Sequence, residues 1–81
     1  MQVGDLIKGM LENGSLSENF VLRVLRPPFM IKIKGARKDV AVVEAELVSG
    51  KIPVGFAYKV INRNDETLYV VRVSKLRVVD K

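Results

Sequence analysis

From Phe29 to Val48 the chain alternates with period two. Phe29, Ile31 and Ile33 interleave with Met30, Lys32 and Lys34, and after Gly35-Ala36-Arg37-Lys38-Asp39 the alternation resumes at Val40. Two such runs joined by a glycine-containing link predict a β-hairpin over Phe29 to Ser49. On its return strand Ala41, Val43, Ala45 and Leu47 share the face expected to enter the core, and Val40, Val42, Glu44 and Glu46 share the other. Upstream, Phe20, Leu22 and Val24 alternate with Val21, Arg23 and Leu25, a strand that Pro27-Pro28 should stop because proline has no amide donor for a ladder. Downstream, Lys51 to Ile61 predicts a third strand with Val54, Phe56, Tyr58 and Val60 on one face, interrupted at Gly55. Thr67 to Val79 predicts the last strand region. Its apolar phase slips at Ser74-Lys75, which calls for a bulge or turn there.

The amino-terminal segment has a different period. Val3, Leu6, Ile7, Met10 and Leu11 fall at i, i+3, i+4, i+7 and i+8, the spacing of one helix face, although Gly4 and Gly9 interrupt it and coil is the alternative. Such a helix would end at Asn13-Gly14, its stripe plugging one end of a barrel or serving a partner or a dimer. With four or five strands after it, the chain is expected to be mainly β. A five-stranded barrel is the economical closure, because it removes valine-rich edges that would otherwise pair with other chains.

At 81 residues, with 48% hydrophobic and 28% charged, the chain is expected to be one globular domain, residues 1–81. No unbroken apolar run is longer than Val40 to Val43, and no basic-then-apolar leader opens the chain. No membrane segment or secretory signal is therefore expected, and an intracellular (cytoplasmic) location follows by default. The sequence has no cysteine and no histidine, which removes disulfides, thiolate nucleophiles, and the commonest proton shuttle and metal ligand. Serine has no Ser-x-x-Lys spacing to activate it, so neither an enzyme nor a cofactor is expected. Glu44 and Glu46 point the same way, but no third ligand accompanies them. Pairing with cross-strand Lys32 or Lys34 is the simpler expectation.

Charge changes the picture most. The net charge is +5, yet Met1 to Glu18 sets Lys8 alone against Asp5, Glu12 and Glu18, so the excess lies further on. Between Phe20 and Lys38 stand six cations, Arg23, Arg26, Lys32, Lys34, Arg37 and Lys38, with no acid. A basic track beside aromatic side chains suits single-stranded nucleic acid, whose backbone needs cations and whose bases need a π-face. Phe29, Phe56 and Tyr58 are the stacking candidates. The bland alternative for the same cluster is a solvated strand face, and for Phe29 a place in the core.

The order Val3-Gly4-Asp5-Leu6, Gly9-Met10, a strand at Asn19 to Leu25, a basic loop, Val40 to Val48, Ser49-Gly50-Lys51-Ile52 and an aromatic at Phe56 resembles archaeal single-stranded DNA-binding proteins of the replication-protein-A type. The stretch Ile52 to Val60 with Leu76-Arg77-Val78-Val79 is similar to the closing half of filamentous-phage single-stranded DNA-binding proteins, which act as dimers. Both resemblances imply an OB-like barrel, a viral or archaeal setting and single-stranded nucleic acid as ligand. The first also implies that Lys34 to Asp39 is a DNA-contacting loop and that Phe56 stands for a third-strand aromatic.

The expected function is thus sequence-tolerant binding of single-stranded DNA, or RNA, through Arg23, Arg26, Lys32, Lys34, Arg37 and Lys38 with Phe29, Phe56 and Tyr58. A homodimer is allowed, and no metal is involved. The alternative is a small β-barrel adaptor for protein–protein contacts in a viral or replication complex.

Overall fold

The computed structural model describes residues 1–79. Its elements are β1 (Leu6–Gly9), β2 (Phe20–Ile31), β3 (Val40–Gly50), β4 (Tyr58–Ile61), β5 (Thr67–Arg72), a 3-10 turn (Val73–Lys75) and β6 (Leu76–Val78). They form one antiparallel sheet in the order β4-β5-β3-β2-β1-β6. The mainly β class is as expected. The five-stranded count is corrected to six, and β4 and β6 remain the two edges of a sheet whose ladders do not close.

The amino-terminal helix is also corrected. Leu6–Gly9 is a strand between β2 and β6, with Ile7 opposite both Leu22 and Val78. Of the supposed helical stripe, Ile7 is fully buried, while Val3 and Leu11 are 60% and 49% exposed. Asn13-Gly14 caps no helix. It turns the chain back, with the Asn13 side chain accepting from the Ser15 amide and Gly14 donating to the Leu11 carbonyl, so that Ser17 can donate to the Gly9 carbonyl.

The hairpin over Phe29 to Ser49 is present, with Met30 opposite Ala41 and Ile31 opposite Val40. Pro27-Pro28 does not end its first strand. The ladder shifts register between Arg26 and Phe29, where β2 spends one more residue than β3, and resumes beyond. A bulge is where prolines cost a sheet least, since the extra residue makes no ladder bond. Two further shifts, at Val21/Leu22 and Val24/Arg26, bend the long strand. Its first half can then serve β1 while its second half serves only β3.

Bending folds the two halves over one core. Phe20, Leu22 and Val24 of β2 meet Val43 and Ala45 of β3, Val71 of β5, and Ile7 and Leu76 of the β1–β6 pair. Leu47, expected in this core, is 37% exposed instead. The predicted strand at Lys51 is shortened: only Tyr58–Ile61 pairs, and residues 51–57 form a loop. In that loop Phe56 donates to the Pro53 carbonyl across Gly55, whose φ of +85° supplies the left-handed third position of the turn. The slip expected at Ser74-Lys75 is the 3-10 turn, which carries the chain from β5 to its pairing with β1.

Candidate nucleic-acid interface

Residues directly opposite in a ladder share a face, so the register defines the sheet's second surface. Phe29, Val42 and Arg72 form one row across β2, β3 and β5. Arg26, Glu44, Val70 and Tyr58 form the next, reaching β4. This face has its own apolar floor. Val42 is fully buried yet is no part of the main core cluster.

Two hollows open on this face. The first, about 410 Å³, is lined by Ile31, Ile33, Tyr58 and Val70 with Lys32 and Lys34. The second, about 420 Å³, shares Tyr58 and Val70 and adds Phe56, Arg72 and Lys75. Shared walls make them one groove, in the size range of ligand clefts, with four cations and no carboxylate in its lining. The closest acid along the row, Glu44, is opposite Arg26, whose Nη1 lies 3.9 Å from its Oε2.

The expected site residues divide accordingly. Lys32, Lys34 and Tyr58 come together in the groove, and Tyr58 is 54% exposed on the edge strand. Phe29 lies on the same face half-buried, outside the main core, with the Arg26 guanidinium 4.1 Å above its ring centroid. Arg26 and Arg23, rather than the expected Lys32 or Lys34, are the cross-strand partners of Glu44 and Glu46: Arg23 stands 3.4 Å from Glu46. Exposed pairs of this kind contribute at most about 1 kcal/mol and leave the arginines available to a stronger anion. Arg37 and Lys38 are exposed in the hairpin loop and do not line the groove.

Phe56 is placed differently from a free stacking residue. Its ring meets Phe20 edge-on at 5.1 Å and packs on the main core, with the Lys75 ammonium 5.5 Å from its centroid. Arg72 and Lys75 are the groove cations that the sequence does not single out. Arg72 is legible in the sequence only as part of the last strand region, and Lys75 only as part of a phase slip. Among the described residues no cluster of acids could hold a metal, and no helix is long and apolar enough to cross a membrane. No family model, curated protein or solved structure matches this chain.

Proposed function

We propose that this protein binds single-stranded nucleic acid, with little sequence preference, along the groove between the β2–β3 hairpin and the β4–β5 edge. The observation that carries this is the groove's lining: Tyr58 and Val70 in the middle, Lys32 and Lys34 on one side, Arg72 and Lys75 on the other, and no acid. Cations along a track neutralise phosphates, and an exposed aromatic accepts any base on its face, which gives affinity without a sequence code. The surface is of the kind OB-folds use, a strand face with its flanking loops, and the reading stands without a closed barrel. The small size and valine-rich strands fit the OB-type resemblance, which belongs to this proposal and carries none of its weight.

The test is fluorescence anisotropy with labelled oligo-dT, oligo-U and a duplex of equal length, each at low and moderate salt. Salt-sensitive binding to the single strands, weakened by Lys32→Ala/Lys34→Ala more than by Arg37→Ala/Lys38→Ala, is the expected result. No binding to any of the three at low salt would overturn it.

One observation favours a second reading, a protein–protein adaptor. Edge strand β4 exposes Tyr58, Val60 and Ile61 at 54%, 44% and 63%, an apolar edge open to strand addition. Under that reading Val60→Lys abolishes partner binding, and the groove lysines are dispensable.

A further inference from the structure

Strand β5 outlasts β4. Their ladder starts at Tyr58 opposite Val70, so Val71 and Arg72 continue along β3 with no partner on the β4 side. The chain ahead of Tyr58 turns inward instead, and Phe56 enters the packing against Phe20. The corner left open is the second hollow of the groove, where Gly55, Arg72 and Lys75 surround a recess beside Tyr58.

We infer that this recess is a phosphate subsite and that the apolar hollow across Tyr58 is a base subsite, so that one nucleotide straddles the tyrosine. The inference deepens the single-strand reading and rests on it for the choice of ligand. Arg72 offers a planar fork that matches two phosphate oxygens, and Lys75 adds a compact charge. Neither is in a salt bridge among the described residues. Lys75 is steadied by the Phe56 ring, whose own place is set by the core. Gly55 presents bare backbone, and open space lies where a side chain would begin, so an anion can approach closely. On the other side Ile31, Ile33 and Val70 form an apolar wall next to the Tyr58 ring, which suits a base.

Amide NMR shifts of the whole chain test this with three probes: thymidine, inorganic phosphate and thymidine monophosphate phosphorylated on its sugar. Phosphate should move Gly55 and Arg72, thymidine should move Ile31, Ile33 and Val70, and the nucleotide should move both sets. Linking the halves should also make the nucleotide bind about tenfold or more tightly than either alone. The variant Arg72→Gln/Lys75→Gln should lose that advantage while thymidine binding is unchanged. Either single substitution serves if the pair disturbs the spectrum.

Phosphate shifts confined to Arg37 and Lys38, or a variant that keeps the nucleotide's advantage, would overturn the inference. The wider reading fails separately. Oligo-dT binding no tighter than the nucleotide would sink strand binding and leave the bipartite site standing. Tight oligo-dT binding with Gly55 and Arg72 unmoved by phosphate would do the reverse.

Discussion

The guanidinium of Arg26 lies 4.1 Å above the ring centroid of Phe29, directly across the Pro27-Pro28 bulge. The bulge brings the two side chains to one face, which an unbroken alternation of β2 would not do, since residues three apart in a regular strand point to opposite sides. A cation over an aromatic ring at an exposed site is worth about 0.5–1 kcal/mol. A double-mutant cycle of Arg26→Ala and Phe29→Leu, read by urea unfolding, should return a coupling of that size. A coupling near zero would mean the stack does not persist in solution.

Tyr58 and Phe56 are two residues apart but should behave as opposites. Tyr58 is mostly exposed on an edge strand, so Tyr58→Ala should leave stability within about 0.5 kcal/mol. It should weaken oligo-dT binding by about 1–3 kcal/mol, roughly 5- to 150-fold. Phe56→Ala should instead cost about 3 kcal/mol of stability, because the ring is packed edge-on to Phe20. In a domain of this size that lowers Tm by about 4–8 °C for each kcal/mol, measurable by thermal circular dichroism.

Gly9 is buried under two aromatic rings. A methyl group there would sit 2.9 Å from Phe20 Cζ and 3.1 Å from Phe56 Cζ. Replacing a strand glycine by alanine is otherwise neutral or stabilising through the unfolded chain. Here Gly9→Ala should destabilise by about 1–3 kcal/mol, since neither ring can withdraw without disturbing the other. Denaturant titration gives the sign directly.

Removing residues 1–14 should unfold the protein rather than strip away an appendage. The deletion takes Ile7 out of the core and leaves β6 without its ladder. Loss of the far-ultraviolet β signal and of amide dispersion is the expected outcome. A truncated chain that still unfolds cooperatively would contradict the role assigned to β1.

Salt dependence should report the groove's cations. Lys32, Lys34 and the Arg72–Lys75 pair, if each neutralises one phosphate, give a log–log slope of affinity against salt of about −2 on single strands. Arg72→Gln/Lys75→Gln should flatten it by about 0.7, and Arg37→Ala should change it less. An effect of Arg37→Ala as large as that of the Arg72/Lys75 pair would move the contact to the hairpin tip.

The hairpin was legible because its alternation is long: from Phe29 to Lys34 the burial of successive residues follows the sequence pattern. The turn at Ser74-Lys75 was legible because a change of parity must be absorbed somewhere. β1 was not. Four residues are too few to separate a period of two from one of 3.6, and Val3, Leu6, Ile7 and Met10 happen to fit a helix as well as a strand with its flanks. Pro27-Pro28 reads as a strand end because a local rule, no amide donor, does not reveal that a bulge can shelter it. Phe56 reads as a free ring in the sequence because its partner Phe20 lies far away along the chain. Arg72 and Lys75 join Tyr58 only through the β4–β5 register and the turn after it, which no single segment encodes.

Strand β3 is enclosed in every direction over Val42 to Ala45. It lies between β2 and β5, Val43 and Ala45 face the main core, and Val42 is buried on the opposite side. The amides of that stretch can reach solvent only when the whole molecule opens, whereas β4, with one neighbour and four exposed residues, can lift away alone. Hydrogen exchange should therefore be slowest along Val42 to Ala45 and fast at Tyr58 to Ile61. The rim of the groove can breathe to admit a bulky ligand while the spine of the sheet stays shut.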